Sequence, residues 1–169
     1  MDFILERVNS GNKYVLDNVL ELYQHEFNAF YNYYDDLNED GKYNFILTDK
    51  YVTDENYKAY LIKVNCKIAG FIMMNPETKY VENGLYIAEF FIMPKYRKGY
   101  FSINVIREIF KQNKGNVEIK VLRSNEKAFK LYSLLFKRFA ENVQINTTLE
   151  DGDEFVYYNF NTENLKENY

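Results

Sequence analysis

The run LYIAEFFIM, residues 85 to 93, constrains the fold more than any other stretch, because only Glu89 interrupts an otherwise apolar segment of strand length. A strand this apolar on both faces belongs inside a sheet that is covered on each side. It runs directly into PKYRKGYFS (94–102) and then INVIREIF (103–110), where Ile103, Val105, Ile106, Ile109 and Phe110 repeat at helical spacing until Asn113 to Gly115. The chain therefore passes from a buried strand to a helix through a turn holding Lys95, Arg97, Lys98 and one glycine, Gly99. A helix that opens there exposes unpaired backbone N–H groups, which favour anions by hydrogen bonding and by the helix dipole. Gly99 lets the backbone approach a ligand closely, and Arg97 and Lys98 add charge-assisted contacts. The plainer reading of so short a motif is a solvated turn whose cations keep an edge soluble.

The other segments place this turn in a mixed sheet. DFILERV (2–8) reads as a short strand, and after SGNK the residues Leu16, Leu20, Tyr23, Phe27 and Phe30 recur at helical spacing, with Ser10 as the expected N-cap. YNYYDDLNEDGKYN (31–44) ends that helix in a loop or a second short helix, with a turn at Asp40-Gly41. KAYLIKV (58–64) and KIAGFIMMN (67–75) flank Asn65-Cys66 as a hairpin. NVEIKV (116–121) alternates like a strand, residues 125–139 predict an amphipathic helix, and ENVQINT pairs with EFVYYNF across the LEDGD turn. The order gives an α/β fold with a mixed sheet in one domain, residues 1–160, followed by a polar tail at 161–169 that is expected to fray.

Bulk properties narrow the partners. With 169 residues, 47% hydrophobic and 27% charged, the chain has globular usage and room for one substantial core. No apolar run is long enough to span a bilayer and the N-terminus lacks a secretory pattern, so no membrane partner and a cytoplasmic location are expected. The lone Cys66 fits a reducing compartment, and the single His25 has no companions for a metal or triad; both are read as structural, and no metal is expected. A net charge of −4 argues against a nucleic-acid partner and favours cationic ones, as does the cluster Asp35, Asp36, Glu39 and Asp40, although such a charge run is more often a solvated loop.

EFFIMPKYRKGYFSINVIREIF and KVLRSNEKAFKLYSLL together resemble the GCN5-related N-acetyltransferases (GNAT). In that family a central strand runs into an arginine- and glycine-containing loop that cradles the pyrophosphate of acetyl-coenzyme A (acetyl-CoA), and a later strand leads to an Asn-x-x-Ala-x-x-x-Tyr helix. Residues 37–47, LNEDGKYNFIL, are similar to a loop in a poorly characterised bacterial branch. The family loop, Gln/Arg-x-x-Gly-x-Gly/Ala, fits in two registers. With Arg97 as the leading arginine the loop is one residue short; with Gly99 as the first glycine, Tyr96 takes the arginine position and Phe101 the second glycine, Ser102 being the next small residue.

The resemblance implies a GNAT-like acyl-CoA N-acyltransferase fold and an N-acetyltransferase. Its co-substrate would be acetyl-CoA, without a metal, and its acceptor a primary amine of a small molecule or peptide, attacked directly; a homodimer is allowed. It implies cofactor contacts from Phe91, Ile92 and Met93 to the pantetheine arm and thioester, and from Arg97, Lys98, Gly99, Tyr100, Phe101, Ser102 and Asn125. Tyr132 would protonate the departing thiolate. On the residues alone, Tyr132 is equally a core aromatic beside Ala128, Leu131, Leu135 and Phe139, and Asn125 equally a plain N-cap. Glu89 shares a strand face with Ile87 and Phe91, and apolar neighbours make a carboxylate more basic, so it is a candidate general base or else a structural carboxylate bonded to backbone or a tyrosine. The irregular loop also leaves open a catalytically silent acyl-CoA-binding or interaction domain.

Overall fold

A two-residue link such as Asn65-Cys66 can close a hairpin only by a tight turn, most readily one with positive φ at both positions. Both residues adopt it, at φ 49° and 61°, and the flanking strands β2 (Lys58–Val64) and β3 (Lys67–Asn75) have the bounds read from the sequence. The structure, a computed structural model, describes residues 1–28, 36–43 and 48–166. Its other elements are β1 (Ile4–Arg7), α1 (Lys13–Phe27), α2 (Lys50–Thr53), β4 (Leu85–Ile92), α3 (Phe101–Gln112), β5 (Asn116–Leu122), α4 (Glu126–Phe139), β6 (Gln144–Glu150) and β7 (Asp153–Asn161). The strand order is β1-β2-β3-β4-β5-β7-β6, with β4 and β5 parallel and the pairs β1–β2, β5–β7 and β6–β7 antiparallel. This is the mixed α/β sheet that the order of elements implies. Among the described residues, no helix is long and apolar enough to cross a membrane. Of the segment 31–44, residues 31–35 and 44 lie outside the described residues, as do 44–47 of the branch-like loop. In the part between, Asn38 Oδ1 accepts from the amides of Asp40 and Lys42, closing the expected turn at Gly41 (φ 72°).

The chain divides into two compact units, with β4 running through both: Met1–Met73 with Glu89–Met93, and Met74–Ala88 with Pro94–Tyr169. In the first unit, α1 buries Leu16, Val19 and Leu20 in a core with Val8, Ala59, Leu61, Phe71, Met73 and Phe91. This helix starts later than Ser10 predicts. Asn9 Oδ1 accepts from the Gly11 amide and Asn12 Oδ1 from the Asn9 amide, so these side chains hold residues 9–12 in a turn, and Asn12 rather than Ser10 takes the cap position. In β3, a Cβ built on Gly70 would lie 2.0 Å from the Phe91 carbonyl oxygen, so backbone meets backbone there and only glycine fits.

In the second unit the apolar stripes of α3 and α4 meet one face of β5 and β7. The rings of Phe110 and Phe136 each lie 5.0 Å from that of Phe160, and Phe136 stacks on Tyr158 at 4.8 Å. Side chains alternate along a strand, so Glu118 of β5 points to the other face, where it is 1% exposed. Its two oxygens accept the backbone N–H groups of Lys79 and Tyr80, both at 2.7 Å, so a carboxylate takes the place a neighbouring strand would otherwise fill. Glu150, at the end of β6, receives Lys79 (2.8 Å), Lys120 (2.5 Å) and the Tyr157 hydroxyl (2.7 Å). The hydrogen bond from Lys120, then those from Lys79 and Tyr157, pull its carboxyl down to about 2. The described part of the expected tail is bound rather than frayed. Asn161 belongs to β7, Leu165 bridges to Ala140, and the Lys166 amide donates to the Phe139 carbonyl at 3.0 Å.

Candidate functional site

The turn after β4 is built by local bonds. Pro94–Tyr96 form a short 3-10 turn in which the Arg97 amide reaches the Pro94 carbonyl at 3.2 Å and the Lys98 amide the Tyr96 carbonyl at 2.8 Å. Gly99, at φ 56°, then swings the chain into α3, whose first bonds run from the Phe101 amide to Lys98 (3.3 Å) and from the Asn104 amide to Tyr100 (2.8 Å). Among the described residues, no backbone carbonyl accepts from the amides of Gly99, Tyr100, Ser102 or Ile103. Arg97 and Lys98 are exposed beside them, and beyond its chain neighbours a Cβ on Gly99 would meet nothing within 4 Å. Four orphan donors, two cations and open space suit an anion such as a diphosphate.

The aromatic residues of the turn do not fill that space with their rings. Phe101 is 5% exposed and packs beside the buried Tyr96, with centroids 6.1 Å apart. Tyr100 turns to α4, where its hydroxyl accepts from Arg138 and the guanidinium lies 5.4 Å over its ring. In the same unit Asn125 is the N-cap of α4, accepting from the Ala128 amide at 3.1 Å. Tyr132 is buried near the rings of Phe136 (6.4 Å) and Tyr158 (6.5 Å).

The first unit holds the remaining candidates. Glu89 is half-buried, and the Tyr23 hydroxyl of α1 donates to its carboxylate. The Tyr23 ring stacks on Phe27 at 5.2 Å and meets Phe71 and Phe91 edge-on at 5.7 and 5.8 Å, so the hydroxyl is held in place by packing. Phe91 and Ile92 are buried, and the Met93 amide donates to the Ala69 carbonyl at 2.8 Å, which commits that donor to the sheet. His25 lies in the last turn of α1, with a ring nitrogen 3.0 Å from the Tyr43 hydroxyl, and Cys66 is an exposed free thiol. Of the acidic run, Asp36, Glu39 and Asp40 are exposed, while Asp35 lies outside the described residues. Among the described residues, no group of three or more His, Cys, Asp or Glu side chains is placed to hold a metal.

The structure thus gathers Glu89, Phe91, Ile92 and Met93 in one unit, and Arg97 to Ser102, Asn125 and Tyr132 in the other. Sequence reasoning missed Tyr23, which periodicity marks only as core, and Gly70, whose signal was present: a glycine inside a strand marks close backbone approach.

Residues 16–135 match the family model described as "Acetyltransferase (GNAT) family". No curated protein matches the sequence. Solved structures of similar fold include an acetyltransferase from Thermus thermophilus, 13% identical over 95% of this chain and 97% of its own, with TM-score 0.67. A spermidine N-acetyltransferase from Vibrio cholerae in complex with CoA and spermine is 14% identical over 96% of each chain, with TM-score 0.64. A protein from Bacillus anthracis described as a streptothricin acetyltransferase, in complex with acetyl coenzyme A, is 14% identical over 95% of this chain and 99% of its own, with TM-score 0.62.

Proposed function

Because the chain belongs to the GNAT family of acetyltransferases, we propose that it moves an acetyl group from acetyl-CoA to the primary amine of a small molecule or peptide. The observation that carries this reading is the set of unbonded amides at Gly99, Tyr100, Ser102 and Ile103 beside Arg97 and Lys98, which suits the diphosphate of the donor. Asn125, at the start of α4, adds a polar contact to the same ligand while its Oδ1 caps the helix.

A lysine-like amine, with pKa about 10.4, loses its proton at pH 7 at a cost of roughly 4–5 kcal/mol. Glu89 takes that proton, and Tyr23 fixes the orientation of its carboxylate. The amine nitrogen attacks the thioester carbonyl carbon; the C–N bond forms, the C–S bond breaks, and the Tyr132 hydroxyl protonates the departing sulfur. The backbone from Phe91 to Met93 lies along the thioester and polarises its carbonyl, with the Met93 amide also bonded to the Ala69 carbonyl. The acceptor is a cationic amine, as the net charge of −4 and exposed Asp36, Glu39 and Asp40 favour; the Vibrio relative, crystallised with spermine, is a precedent in fold only. The reaction is placed in the cytoplasm, where a lone exposed thiol such as Cys66 stays reduced.

Calorimetric titration with acetyl-CoA and with CoA tests the donor site: both bind the intact chain, and Arg97→Ala with Lys98→Ala weakens both alike. Tyr132→Phe is expected to lower kcat about 10²-fold or more while leaving CoA affinity unchanged. Full kcat in that variant would remove Tyr132 as the acid.

A further inference from the structure

We propose that β6 is a contact between two copies of this chain, paired edge to edge and antiparallel across a two-fold axis at Thr147. Among the described residues, β6 ends the sheet and is bonded to β7 on one side only. A free strand edge is a template for another strand, and chains that stay single guard it with lysine, proline or a bulge. β6, QINTTLE, carries none of these: its one charge is Glu150, and all seven residues pair with β7 in unbroken register.

The two faces of the strand differ. Thr148 and Glu150 point to the face where the Tyr80 hydroxyl and the Lys79, Lys120 and Tyr157 side chains engage them. Ile145, Thr147 and Leu149 point to the face of α4, yet Ile145 is 61% and Leu149 72% exposed. Helix α4 covers β7 but stops short of β6. Ile145 and Thr147 line an open groove of about 550 Å³ together with Phe129, Ser133 and Phe136 of α4.

What selects a second copy as occupant is that the strand is complementary to itself. With the axis at Thr147, Ile145 lies opposite Leu149 of the second copy on the α4 face, and the reciprocal pair follows by symmetry. On the other face Asn146 meets Thr148 and Gln144 meets Glu150, a carboxamide against a carboxylate. Apolar residues meet apolar, polar meet polar, and no like charges face each other. A shift of one residue sets Ile145 against Thr148 and destroys the match. The pairing gives Ile145 and Leu149 a cover that no described residue supplies, and it is independent of the acyl-transfer reading.

Sedimentation of the full chain over a concentration series tests the pairing. The parent chain is expected to be a dimer, and Ile145→Glu or Leu149→Lys alone to raise its dissociation constant roughly tenfold or more, because each puts a charge against an apolar side chain twice per dimer. The doubly substituted chain is expected to dimerise again: each new carboxylate faces a new ammonium of the other copy, while its own strand's ammonium is about 13 Å away. In a Cys66→Ser background, Thr147→Cys is expected to give a covalent dimer on mild oxidation, since opposed Cα atoms lie about 4.5–5.5 Å apart. Circular dichroism matching the parent separates loss of pairing from loss of fold, and both substituted apolar side chains are exposed. A monomeric parent, a dimer that survives both single substitutions, or failure of both rescue and cross-link would overturn the proposal.

Discussion

Tyr23 and Glu89, 66 residues apart in sequence, are joined by one hydrogen bond, a partner that suits a structural carboxylate as well as an oriented base, so variants at both positions have to separate the two roles. A donor to a carboxylate favours its ionised form. With Tyr23→Phe the acid limb of the pH–kcat/KM profile is therefore expected to move to higher pH, and with Glu89→Gln to vanish with most of the activity. A profile unchanged in both variants would mark the carboxylate as structural only. Glu150 offers a test of stability rather than rate. Its folded value of about 2 lies below its ordinary 4.5, so its stabilisation is fully present above about pH 4.5 and is lost as pH falls towards 2. After allowance for solvent screening, about 1–2 kcal/mol is at stake. Urea unfolding of Glu150→Gln over this window is expected to show a flatter acid slope than the parent.

Elements were legible where local chemistry alone decides them. The Asn65-Cys66 and Asp151-Gly152 links close hairpins because each supplies two residues at positive φ, and α4 starts where Asn125 can cap it. Replacing that cap by alanine is expected to cost about 1 kcal/mol in thermal or urea unfolding. The start of α1 was misread because NSGN (9–12) offers several side chains able to bond backbone, and Asn9 and Asn12 prevail over Ser10. The turn after β4 was legible as a cation-bearing passage from strand to helix, but not the inward packing of Phe101 against Tyr96, which depends on partners that periodicity does not name. Gly70 is the sharpest case at this scale. Gly70→Ala is expected to destabilise the fold by several kcal/mol, because its Cβ would meet the Phe91 carbonyl, a backbone atom that cannot rotate away. Denaturant unfolding reads this directly.

Across the whole molecule the charge balance bears on the acceptor. A net charge of −4 accelerates encounter with a cationic amine at low salt, so kcat/KM for a polyamine is expected to fall as ionic strength rises, while that for a neutral acceptor stays level. The Glu118 clamp reaches further than its own contacts. Lys79 and Tyr80 belong to neither helix nor strand, yet their amides are held by a carboxylate shut away from water. Amide hydrogen exchange of this segment is thus expected to show an island of slow deuterium uptake inside a connecting loop, and Glu118→Ala to dissolve it, so that the loop exchanges as fast as its irregular backbone would otherwise dictate.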